Sequence, residues 1–77
     1  YNNGTDSGFA GSFTSNSTKT YRFTTVEFGS AEVEFLLYKD NESVGTALGS
    51  EVSLTAGSYS VYADGDGDWF VKVEQKQ

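Results

Sequence analysis

Three carboxylates at alternate positions, Asp64, Asp66 and Asp68, are separated by Gly65 and Gly67 and followed by Trp69 in the stretch ADGDGDW. Calcium takes about six to eight oxygen ligands, and alternating carboxylates on a tight loop are one way to converge several of them. These three aspartates are therefore the candidate metal ligands. The helix-flanked calcium loop needs glycine at its sixth place and a bidentate glutamate at its twelfth. Counted from Asp64, those places hold Trp69 and Gln75, and both flanks read as strands, so that motif fails. A calcium site outside it would need backbone carbonyls and a carboxylate from a neighbouring loop, such as Asp40 or Glu42. The plainer reading is an acidic hairpin turn between SYSVYA and WFVKV, because Asp-Gly is a favoured turn pair.

A hairpin motif of bladed sugar hydrolases, Ser-X-Asp-X-Gly-X-X-Trp, shares the spacing from Asp64 to Trp69. Its glycine place, however, holds Asp66 and its serine place Tyr62, so it fails as well. Trp69 falls in phase with Val71 and Val73 and is expected in the core. Tyr38, Tyr62 and Phe70 lie opposite the best apolar sets, and exposed aromatics of this kind suit a sugar-stacking or assembly surface. They are the candidate ligand-binding residues.

The chain contains no cysteine and no histidine, so no thiol or imidazole can act as nucleophile, general base or metal ligand. Hydrolysis by two carboxylates needs a cleft that raises one pKa. Glu32 and Glu34 alternate with Val33 and Phe35 as on a solvated strand face, and the reading is of no enzyme. No organic cofactor is implied, and calcium is the only ion for which the sequence offers a place. A net charge of -6 argues against nucleic acid, which needs a basic face. No apolar run approaches the roughly 18 residues of a membrane span, so membrane insertion is not expected. The triplets beginning at Asn3, Asn16 and Asn41 fit the N-glycosylation pattern and point to an extracellular or cell-surface protein. The chain begins at Tyr1 and holds no methionine, which suggests a processed piece of a longer precursor.

Period-two alternation of apolar and polar residues dominates, which predicts an all-β chain. Residues 1–7 are polar and read as a linker or flexible tail, leaving residues 8–77 as a single domain. GFAGSFT, with Phe9 and Phe13, is a first strand, and KTYRFTTVEF turns Tyr21, Phe23 and Thr25 to one side. AEVEFLLYK sets Val33, Phe35 and Leu37 against Glu32, Glu34, Leu36 and Tyr38. KDNES is a hairpin turn into VGTALGS, a weak strand suited to an edge. EVSLT, SYSVYA and WFVKVEQ complete about seven short strands, the pattern of a small antiparallel β-sandwich of jelly-roll or Greek-key type.

Four stretches together resemble the bacterial pre-peptidase C-terminal domains: Tyr21-Arg22-Phe23, Phe35-Leu36-Leu37-Tyr38-Lys39-Asp40, Ala56-Gly57-Ser58-Tyr59 and Trp69-Phe70-Val71-Lys72-Val73. The resemblance spans roughly residues 8 to 75. It implies a β-sandwich appended to a secreted bacterial or archaeal protein, non-catalytic, serving attachment, secretion or binding to polysaccharide or extracellular matrix. Some members carry calcium. The expectation is thus an accessory domain acting as spacer or weak binding module. Two alternatives stand beside it: a self-assembling subunit of a filament, coat or phage particle, whose partners are copies of itself, and a calcium-stabilised domain.

Overall fold

The computed structural model describes residues 2–44 and 51–76. Eight strands follow one another: β1 Asn2–Thr5, β2 Gly8–Ser15, β3 Lys19–Glu27, β4 Glu32–Lys39, β5 Glu42–Ser43, β6 Glu51–Leu54, β7 Gly57–Asp66 and β8 Asp68–Lys76. They form two antiparallel sheets of four strands, sheet I in the order β1-β8-β3-β6 and sheet II in the order β2-β7-β4-β5. The pairs β4–β5, β3–β6, β2–β7 and β1–β8 are nested. The chain is therefore one long hairpin rolled into two layers, which is the jelly roll. The expected all-β sandwich is present, with one strand more than the sequence suggested.

The apex of that hairpin is the turn expected at KDNES. Asp40 and Asn41 have φ of 49° and 72°, the positive values at both central residues that a type I′ turn requires, and Asp and Asn tolerate them. Beyond Val44, the proposed strand VGTALGS falls mostly on residues 45–50, outside the described residues.

Alternation places the core as the pattern predicts. Tyr21, Phe23, Phe35, Leu37, Leu54, Tyr59, Val61, Ala63, Trp69 and Val71 are buried between the sheets. Aromatic rings carry much of it: Phe13 stacks on Tyr59 with centroids 5.3 Å apart, and Phe35 meets Trp69 edge to face at 5.7 Å. Thr25 is an exception to the sequence reading, being exposed. The inward phase of β3 ends at Phe23, and Val26 and Phe28 are exposed as well.

Ala56-Gly57-Ser58-Tyr59 carries the chain from sheet I to sheet II between β6 and β7. The Tyr59 hydroxyl donates to the Thr55 carbonyl at 2.6 Å, while its ring is buried. This is a tyrosine corner, in which a hydroxyl ties a crossover to the strand that follows it. Across sheet I, Glu51 Oε2 accepts from Arg22 Nη2 at 2.9 Å and from Lys76 Nζ at 2.7 Å, stitching β6, β3 and β8. Hydrogen bonds from Lys76 and Arg22 hold the Glu51 carboxyl below its ordinary pKa.

Two predictions follow from these contacts. Tyr59→Phe keeps the ring and removes the hydrogen bond, and should cost about 1 kcal/mol, lowering Tm by roughly 4–8 °C in a domain of this size. Because Glu51 titrates lower folded than unfolded, its contribution is present above the ordinary glutamate pKa and lost as pH falls through the depressed value. Urea midpoints followed from neutral to acid pH should therefore fall less steeply in Glu51→Gln than in the wild type.

Candidate functional site

The stretch ADGDGDW is not a hairpin turn, which corrects the sequence reading. Asp64, Gly65 and Asp66 belong to β7 and pair with Glu34, Val33 and Glu32 of β4, whereas Asp68 opens β8 in the other sheet and pairs with Thr5. Gly67 alone makes the corner, at φ 105°. A Cβ on Gly67 would lie 2.4 Å from that of Ala31, and one on Gly65 would lie 2.1 Å from the Glu32 carbonyl oxygen. Both glycines are required because two backbones pass too closely there for any side chain.

Residues 2–5 are likewise not a tail. They form β1, and the segment after it clasps the corner. Asp6 N donates to the Gly67 carbonyl and Gly67 N to Asp6 Oδ1, both at 2.9 Å. Gly65 N donates to Ser7 Oγ at 2.9 Å, Thr5 Oγ1 donates to Asp68 Oδ1 at 2.6 Å, and the Trp69 indole N–H donates to the Asp6 carbonyl at 2.8 Å. Trp69 is in the core, as expected from its phase. The polar composition of residues 1–7 concealed this role, since the groups that look solvated are hydrogen-bond partners for the corner.

The three candidate metal ligands are consequently held apart. Asp64 lies on the outer face of sheet II beside Glu34, Asp66 beside Glu32, and Asp68 is engaged by Thr5. Among the described residues no group of three or more acidic side chains is placed to hold a metal ion.

Of the candidate ligand-binding aromatics, the structure brings two together. Tyr38 and Tyr62 meet edge to face at 5.4 Å on the outer face of sheet II. Phe70 is on β8, across from Val26 and Asn3 on the outer side of sheet I, and takes no part in that surface. A third ring, not singled out in the sequence, replaces it: Phe9 packs edge to face on Tyr62 at 5.6 Å and is 58% exposed. A β-bulge between Phe9 and Gly11 inserts the buried Ala10 and sends Phe9 outward. Gly11, a glycine inside a strand, was the available signal.

Tyr38 and Tyr62 line an open groove of about 520 Å³ together with Ser7, Gly8, Leu36, Asn41, Ala63 and Asp64. A second cavity of about 230 Å³ opens between the sheets, among Phe13, Tyr21, Val71 and Val73, and has no charged group in its lining. Asn3, Asn16 and Asn41 are all exposed, and Asn41 sits at the groove itself. No family model, curated protein or solved structure matches this chain.

The separation of Asp64, Asp66 and Asp68 has a direct readout. Thermal melts in EDTA and in millimolar calcium are expected to coincide, since an ion bound by the native state alone would raise Tm.

Proposed function

We propose that this chain is a non-catalytic accessory domain of a secreted or cell-surface protein, and that it binds an extracellular polysaccharide or matrix polymer through the outer face of sheet II. The observation that supports this reading is the aromatic group Phe9, Tyr62 and Tyr38, set edge to face on adjacent strands, with Phe9 and Tyr62 exposed and Tyr38 and Tyr62 lining the groove. Rings fixed by strand pairing offer apolar faces at little entropic cost. Asn41 and Asp64 at the groove supply an amide and a carboxylate to orient a hydroxyl-bearing or amide-bearing ligand.

The quoted resemblance to pre-peptidase C-terminal domains points to the same class of role, as do the exposed asparagines of the three glycosylation triplets. A glycan on Asn41 would compete with ligand for the groove, so the binding reading favours Asn3 and Asn16 as the modified positions.

Pull-down on insoluble polysaccharides and on matrix proteins tests the reading. Tyr62→Ala with Tyr38→Ala should weaken retention roughly tenfold or more, while Phe70→Ala on the opposite sheet should leave it unchanged. A wild-type domain retained by none of them would be a spacer.

A further inference from the structure

Resting on the reading that the outer face of sheet II is the working face, we propose that its ligand is a basic polypeptide segment, gripped through lysine or arginine side chains. Two rows of carboxylates continue the aromatic surface along β4 and β7: Leu36 pairs with Tyr62, then Glu34 with Asp64, then Glu32 with Asp66. Successive rows on one face are about 7 Å apart, a distance that a lysyl or arginyl stem spans. Such a side chain lays its methylenes on Tyr62 and Leu36 and sets its head between Glu34 and Asp64, combining ring and charge contacts.

Charge is divided between the sheets. Lys19, Arg22, Lys72 and Lys76 all stand on β3 and β8, and the ion pairs among the described residues, Arg22–Glu51, Lys76–Glu51 and Lys72–Glu74, lie within sheet I. In sheet II the cation is Lys39, whose Nζ donates to Thr55 Oγ1 at 2.7 Å. Among the described residues no cation pairs with Glu32, Glu34, Asp64 or Asp66. Like charges directly opposite across a ladder are destabilising, so a cationic ligand relieves a repulsion built into the free domain. A neutral sugar would leave both rows as they are.

Anisotropy of a dye-labelled hexalysine peptide at low salt tests the proposal. Glu34→Gln with Asp64→Asn should raise Kd about tenfold, and Tyr62→Ala, which leaves the charge unchanged, should also raise it severalfold. Glu51→Gln with Glu74→Gln makes the same charge change on sheet I and should shift Kd by less than about twofold. Equal weakening by that control pair, or no effect of Tyr62→Ala, would show attraction by net charge alone and overturn the proposal. If wild type instead bound a neutral glucan, with loss on Tyr62→Ala and indifference to Glu34→Gln with Asp64→Asn, the face would stand and the cationic ligand would fall. Failure of every probe with wild type would remove both. A cooperative melt well above the assay temperature for each variant shows that folding is not the cause.

Discussion

The contact on which the sandwich turns is the Trp69 indole against the segment Gly4 to Asp6. Its N–H donates to the Asp6 carbonyl at 2.8 Å, and its six-membered ring lies so close to Gly4 that a Cβ there would sit 2.5 Å from Cζ2. The same ring system packs on Phe35 of sheet II. One side chain thus joins β8, the crossover from β1 to β2, and the facing sheet. The paired hydrogen bonds between Asp6 and Gly67, one backbone to backbone and one from Gly67 N to the Asp6 carboxylate, lock together two of the places where the chain passes between layers. Asp6 adopts φ 60° to make them, a left-handed conformation that aspartate tolerates better than most residues.

The clasp fixes where β7 ends and β8 begins, and the ladder of β7 with β4 sets what sheet II shows to solvent. Inward positions on β7 hold Tyr59, Val61 and Ala63; outward ones hold Ser60, Tyr62, Asp64 and Asp66. The aromatic and acidic rows of the outer face are therefore consequences of core packing on the other side of the same strand. A slip of one residue would bury the carboxylates and expose the core.

Strand phase was legible in the sequence because alternation has a physical cause that acts within a few residues. The inward sets on β4, β7 and β8, the burial of Trp69 and the turn at Asp40-Asn41 could all be read from it. Pairing between distant segments could not. Asp-Gly pairs look alike in a hairpin and in a crossing between sheets, and only the proximity of Asp6 and Ser7, some sixty residues earlier, decides which occurs. For the same reason Thr5, Asp6 and Ser7 resembled a solvated tail. Phe9 was missed at the surface because a one-residue bulge reverses the parity on which the reading depends. The grouping of Tyr38 with Tyr62, and the exclusion of Phe70, required knowing which strands share a sheet.

The nested strand pairs also bear on the order in which the chain can collapse. Only β4 and β5, at the Asp40-Asn41 turn, are neighbours in sequence; the β1–β8 pair joins residues more than sixty positions apart. Closing a loop costs entropy that rises with the number of free residues inside it. Each outer pair therefore closes a modest additional loop if the pair inside it has already formed, and a very large one if it has not. A route that zips outward from the apex is entropically the least costly, and along it the aspartate-rich corner and its clasp form last. On that route the segment of greatest chemical interest in the sequence is the final latch of the fold.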